Sequence, residues 1–321
     1  VEQVEGVLWR AQSLDIHDIR PAKAMVRRAM QAIEREMRAR GGVAAGPGYS
    51  ALGRGYLALH DFDRAREHLE RAWNMDYRTP EVAFALGSTL GQIYFREEQA
   101  LYQIQGKKQR EARRDEIVRT LREPACRYLR AGAGLNTDCP EWPEAILAFY
   151  EGRLRDALTK AGEAFRRLPW LYEAKVLEGR IWRGDGAGHR IAGRYSEAMA
   201  AYRRAAKAYE AAIRVAPSDA QVRLDLANLW ADVLFMGVWY TGQPDADAFP
   251  RTLAAAGEAQ RIDPDLLDAY KVIIDTRSSW MEHLFNTGQP ADAEAAEVVR
   301  VAEEALRRQP DSVAFLDKVA T

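Results

Sequence analysis

Four prolines, at 169, 217, 264 and 310, recur at separations of 48, 47 and 46 residues. Each is preceded five residues earlier by an alanine, namely Ala164, Ala212, Ala259 and Ala305, and eight residues earlier by Ala161, Tyr209, Ala256 or Ala302. Proline removes a backbone donor and forces the residue before it out of the helical region, so it punctuates a helix end. Small residues one turn earlier suit a close crossing with a neighbouring helix. A second echo runs in phase with the first: Thr241-Gly242-Gln243-Pro244 and Thr287-Gly288-Gln289-Pro290 lie 46 residues apart. Each is placed to close one helix and open the next. A chain so punctuated is a series of antiparallel helix pairs, which cannot bury their apolar faces singly and must stack.

The same unit is written most clearly in Tyr49 to Pro80. Tyr49, Leu52 and Tyr56 are three and four residues apart, on one face of a helix. Gly53 and Ala65 are small where two helices cross, Leu69 and Ala72 line the second helix, and Asp61 stands where it caps that helix. After Pro80, Ala83, Leu86, Gly87 and Leu90 begin another first helix, expected to run on to about Gly106. Toward the N-terminus, residues 3 to 14 read as a helix broken at Asp15-Ile16-His17-Asp18. Pro21 starts a second helix to about Arg40, and Gly41-Gly42 with Gly46-Pro47-Gly48 reads as a linker.

Composition removes several functional classes. With 46 basic and 47 acidic residues, a net charge of -1 and 47% hydrophobic residues, the chain is that of a folded protein. It lacks the basic excess of a nucleic-acid coat, so no nucleic-acid partner is expected. No apolar run reaches the roughly 18 residues of a membrane span, and membrane insertion is not expected. The start at Val1 without Met, and without a basic leader, reads as a piece of a longer protein. Two isolated cysteines, Cys126 and Cys139, form no disulfide framework and fit a reducing, cytoplasmic setting.

Candidate chemistry is sparse. The run from Lys107 to Glu123 holds seven Lys/Arg against four acids and no interleaved aromatics, which reads as a solvated helix laced with ion pairs. The glycine-rich stretch from Gly184 to Gly193 has neither a preceding strand nor a Gly-Lys-Ser/Thr sequence, and reads as a flexible loop between helices carrying His189. The five histidines lack metal-ligand spacing, so neither metal nor cofactor is expected. Asp61/Asp63 and Asp245/Asp247 open second helices and read as caps. Trp182, Trp230, Trp239 and Trp280 fall on first helices, as fillers between wide-spaced helices or as anchors in a binding groove. No catalytic triad, GxSxG or dinucleotide fingerprint occurs, and the chain is expected to be non-catalytic.

The aromatic, Leu-Gly, aromatic pattern at 49–56 followed by Ala-x3-Leu-x2-Ala at 65–72 resembles the tetratricopeptide repeat, as does the Ala-x4-Pro series. The resemblance implies an all-α, right-handed α-α superhelix, a solenoid of long, irregular repeats. Its parts are expected to be N-terminal helices at 1–48, repeats with an extended charged helix at 49–141, and long-period repeats with a capping helix at 142–321. It implies a concave groove that binds a protein or peptide. The family's lining positions carry over to Ser50 and Arg54, Phe84 and Ser88, Lys175 and Gly179, Leu224 and Asn228, and Lys271 and Asp275, with Gln92, Arg183 and Asp232 one turn further along. The runs Asp18–Ala22, Ala45–Gly48, Ala51–Tyr56, Tyr77–Val82 and Pro169–Ala174 further resemble the repeat region downstream of the catalytic domain in some bacterial serine/threonine kinases. That setting implies a regulatory or substrate-docking segment whose partners include its own kinase domain. A small-ligand sensor built on Trp230, Trp239, Tyr240 and Trp280 is the alternative.

Overall fold

The computed structural model describes residues 2–40, 45–101, 104–135 and 137–319, and every regular element among them is helical. The helices are α1 (Glu2–Gln12), α2 (Arg20–Arg40), α3 (Ala45–Ala58), α4 (Phe62–Asn74), α5 (Pro80–Ala100), α6 (Lys107–Ile117), α7 (Glu123–Ala131) and α8 (Glu141–Tyr150). They continue with α9 (Leu154–Arg167), α10 (Glu173–Ile191), α11 (Tyr195–Val215), α12 (Ala220–Met236), α13 (Ala248–Ile262), α14 (Leu267–Asn286), α15 (Asp292–Arg308) and α16 (Val313–Val319).

The proline series acts as its chemistry demands. Leu168, Ala216, Asp263 and Gln309, each just before a proline, take φ between -126° and -136° and end α9, α11, α13 and α15. Each still donates its N–H to the carbonyl of the alanine four residues back. Those alanines, Ala164, Ala212, Ala259 and Ala305, have no exposed surface at all. First helices stop by a different device. Gly152, Gly193, Gly242 and Gly288 all hold φ between 68° and 80°, the left-handed turn that glycine enters without strain. Asp61 accepts from the Arg64 N–H at 3.2 Å and caps α4, as its position requires.

The chain forms two compact units. The first comprises Val1–Ala11 and Arg20–Ala174. Its core joins Leu69, Leu86, Leu90, Ile117, Leu121, Leu129 and Tyr150, and a smaller cluster joins Leu8, Val26, Met30 and Leu52. The charged run is helical in α6 and leads into one wide π turn at Val118–Arg122. Arg113 there reaches Glu116 at 2.7 Å and Glu97 at 2.8 Å.

The second unit comprises Gln12–Ile19 and Lys175–Thr321. Its pairs α10/α11, α12/α13 and α14/α15 carry the long-period repeat. The helix-breaking segment after α1 is a strap on this unit: Ser218 donates its N–H to the Gln12 carbonyl at 2.9 Å, and the Ile19 N–H reaches the Ile262 carbonyl at 2.9 Å. Ile19 is buried with Ala220 and Ile262.

Three sequence expectations are corrected. Gly46-Pro47-Gly48 is the first turn of α3 and not a linker, because Gly46 abuts Tyr77 and Gly48 abuts Met37; Gly41-Gly42 lies outside the described residues. The first helix after Pro80 ends at Ala100, and Gly106 instead starts α6. The glycine-rich stretch is no loop: Gly184, Gly186 and Gly188 lie within α10. Packing outweighs the weak helix propensity of glycine there, as the site shows.

Candidate functional site: a rung series between α10 and α12

Within the second unit, α10 and α12 are both first helices and face one another through charged side chains. Arg180 and Arg183 lie one turn apart on α10, and Arg190 follows seven residues after Arg183. On α12, Asp225 and Asp232 are also seven residues apart. Seven residues is about two helical turns, so each set lies along one face. The two faces meet in register. Arg180 Nη2 stands 3.1 Å from Asp225 Oδ2, and Arg183 Nε stands 2.6 Å from Asp232 Oδ2. The side chains of the first pair are 17% and 10% exposed and those of the second 20% and 27%, so both rungs are largely shielded from water. Burial disfavours the Arg183 cation, yet Asp232 opposite more than offsets it and the guanidinium stays protonated.

Beneath the rungs, two tyrosines of α11 reach toward α10. A Cβ on Gly179 would stand 2.6 Å from the Tyr209 ring, and one on Gly186 would stand 2.5 Å from the Tyr202 ring. Only glycine admits the two rings this close, which is why the glycine-rich segment is helical and why α10 carries it. Tyr202 accepts from Arg190 Nε at 3.4 Å. The Tyr209 hydroxyl is fully buried without a hydrogen-bond partner, and burial pushes its ionisation up.

The third rung differs in chemistry. Arg190 Nη1 lies 3.4 Å from the Tyr240 hydroxyl, and its guanidinium stands 5.7 Å from the Phe235 ring centre and 5.5 Å from that of Tyr240. Phe235, Trp239 and Tyr240 are 40%, 51% and 47% exposed, and Phe235 lies 6.1 Å from Trp239 and 5.8 Å from Tyr240. The π turn at Gly237–Thr241 produces this register: a regular helix would put residue 239 two turns after Asp232, and the widened turn puts Tyr240 there.

The expected lining positions divide between the units. Arg54, Phe84, Ser88 and Gln92 belong to the first, on α3 and α5. Phe84 packs against that unit's core and the Ser88 hydroxyl is buried without a partner, so these two contribute little accessible surface. In the second unit, Arg183 and Asp232 meet directly, Lys175 binds Glu178 at 2.7 Å, and Asn228 donates to the Leu224 carbonyl at 3.0 Å. Lys271 and Asp275 are exposed on α14. Leu224 and Gly179, also reached by the same carry-over, are buried.

Arg180, Asp225, Arg190 and Tyr202 carry no mark of a site in the sequence taken by itself, and Tyr209 is marked there only as a phased position of a second helix. The repeated spacing of seven in Arg183/Arg190, Asp225/Asp232, Gly179/Gly186 and Tyr202/Tyr209 is the signal that could have found them. Of the tryptophans, Trp230 is buried under Arg251, Trp182 lies under Arg204, Trp280 stacks on Phe249 at 5.0 Å, and Trp239 is open to solvent. Asp247 does not cap α13 by its side chain: its own N–H donates to Asp245, and its carboxylate pairs with Arg251 at 3.2 Å. His189 lies 3.6 Å from Asp185 and accepts from Arg194 at 3.0 Å. Among the described residues, no group of three or more His, Cys, Asp or Glu could hold a metal ion, and no helix is long and apolar enough to cross a membrane.

Two solved structures of human IFIT1 share the all-helical fold. The human IFIT1 dimer with PPP-AAAA matches 92% of this chain at 12% identity with a TM-score of 0.52. The human IFIT1 dimer with m7Gppp-AAAA matches the same share at 12% identity and 0.50. Yeast Tom70 matches 93% of this chain and 58% of its own at 14% identity and 0.45. The fold is tetratricopeptide-like. The chain spans 63% of the length of the IFIT1 chains it matches, and the likeness concerns fold alone. No protein-family model matches the sequence, and no curated protein matches it.

Proposed function

We propose that this chain is a non-catalytic scaffold that binds an extended polypeptide along the α10–α12 face and onward over α14. The observation that carries the reading is the pair of shielded rungs, Arg180–Asp225 and Arg183–Asp232, which fix two first helices against each other. A face locked in this way is ordered before a ligand arrives, so association costs little scaffold entropy. Asn228 and the exposed Lys271 and Asp275 extend it with polar groups suited to peptide amides and side chains. The setting we propose is a regulatory or substrate-docking segment of a bacterial serine/threonine kinase, in the cytoplasm. The sequence runs at 18–22, 45–48, 51–56, 77–82 and 169–174 support the kinase setting, and two buried free thiols suit a reducing compartment.

The reading is tested with the whole chain on an array of random short peptides. Saturable binding is expected for a subset, weakened at least about ten-fold by Lys271→Glu or Asp232→Lys in variants that keep their helical circular dichroism. Absence of any peptide binding, or binding indifferent to both substitutions, overturns it.

A further inference from the structure

The rungs between α10 and α12 are two complete ion pairs and one incomplete one. Arg180 has Asp225 and Arg183 has Asp232, but among the described residues no carboxylate lies within ion-pair distance of Arg190, which feels Asp232 only as a longer-range charge. It is held by the hydroxyls of Tyr202 and Tyr240 and stands near the rings of Phe235 and Tyr240. Two phenol oxygens position a guanidinium without neutralising it, and a half-buried arginine so placed keeps both charge and donor capacity for an incoming acid. The surface around it is apolar and open: Phe235, Trp239 and Tyr240 are each at least 40% exposed. Exposed aromatic clusters of this kind mark interaction sites. The π turn that brings Tyr240 into the rung also leaves Trp239 on the outside, 51% exposed. A π turn inside a helix commonly accompanies a functional position.

We infer that Arg190 and the Phe235–Trp239–Tyr240 platform form a subsite for an acidic peptide, in which an Asp or Glu side chain supplies the missing third carboxylate and an adjoining aromatic or proline residue packs on Trp239. The inference rests on the peptide-binding reading above and names the class of peptide. The carboxylate continues the alternation already built by Asp225 and Asp232, so the guanidinium meets the same chemistry on all three rungs. The flanking ring supplies apolar burial that a carboxylate alone lacks, and it shields the new pair from water, where an exposed pair would contribute little.

The test uses the whole chain and amidated short peptides that present a central Asp or Glu, or the matching Asn or Gln, flanked by Trp and Pro or by Ala. Amidation removes the terminal carboxylate as an alternative anion. Replacing acid by amide is expected to weaken binding about ten-fold, the loss of one charge-assisted pair. Arg190→Gln is expected to abolish that preference. Trp239→Ala, at an exposed position, should leave Tm unchanged and remove the preference for flanking Trp and Pro. Peptides bound without acid preference, a preference that survives Arg190→Gln, or a Trp239→Ala protein that binds as before each overturn the subsite. In those cases, continued sensitivity to Lys271→Glu keeps the broader groove reading. If no peptide binds, or if only a single-stranded oligoadenylate probe does, both readings fall together.

Discussion

The Tyr209 ring of α11 lies against Gly179 of α10 so closely that a Cβ on the glycine would stand 2.6 Å from a ring carbon. The other in-phase second helices carry alanine where α11 carries Tyr209: Ala161, Ala256 and Ala302. At α10/α11, then, a ring on the second helix meets a glycine on the first, and the ring carries a hydroxyl toward α10.

Gly179→Ala is accordingly expected to destabilise the second unit by about 1–3 kcal/mol, the usual cost of forcing an extra carbon into a filled core. Tyr209→Ala alone should also destabilise, by about 3–5 kcal/mol, through the cavity it leaves. The double variant should cost less than the sum, because each change relieves the other. Urea denaturation of the four proteins measures the coupling. Strict additivity would show that the two positions do not share one space.

Gly184 and Gly188 make the opposite case on the same helix. An added Cβ at either meets nothing within 4 Å, and neither holds a positive φ. Gly184→Ala and Gly188→Ala are each expected to stabilise by roughly 0.5–1 kcal/mol, because alanine reduces the freedom of the unfolded chain and favours helix. Raised urea midpoints with retained helical circular dichroism are the expected result; unchanged midpoints would indicate that the segment is not helical in solution.

This contrast also explains how far the fold was legible. The prolines and buried alanines declared the second helices because a pre-proline residue and a close crossing each restrict the chain locally. The end of α10 was illegible for the same reason in reverse: Gly184, Gly186 and Gly188 have poor local helix propensity, and the compensating contact, the Tyr202 ring at Gly186, comes from another helix. Reading that stretch as a loop took Arg190 off the α10 face, so the third rung could not be seen. Arg183 and Asp232 stood out in the sequence only as expected groove positions. Their pairing was not legible, since it depends on how α10 and α12 stack. The strap of residues 12–19 was visible only as a helix break, its partners Ser218 and Ile262 lying far away in sequence.

The rungs themselves can be broken one side at a time. Arg183→Met leaves Asp232 shielded and without its 2.6 Å partner, and is expected to cost about 1–3 kcal/mol, the penalty of an unmatched polar group. Arg183→Met with Asp232→Leu removes both charges and should recover most of that loss, because a well-filled apolar contact can replace a shielded ion pair. Thermal melts compare the variants. A double variant as unstable as Arg183→Met would mean that the pair contributes through attraction and not by mutual neutralisation.

Proton uptake should reveal one further packing relationship, in the first unit. His68 on α4 stacks on Tyr56 of α3 with ring centres 5.2 Å apart and planes 7° from parallel, and its Nδ1 is buried without a partner. Burial lowers its proton affinity below the ordinary histidine value of 6.5; of the neighbouring charges, Glu67 and Glu34 act against this and Arg71 and Arg64 act with it. As pH falls below 6.5, the unfolded chain takes up a proton that the folded chain still refuses. Unfolding then binds a proton, and stability drops with falling pH until the folded His68 is protonated as well. His68→Phe keeps a flat ring in the stack and removes the titration. The difference in unfolding free energy between wild type and His68→Phe, followed by urea denaturation from neutral pH downward, should therefore shift in favour of the variant below 6.5. A pH-independent difference across that range would show that His68 is as free to protonate in the folded protein as in the unfolded chain.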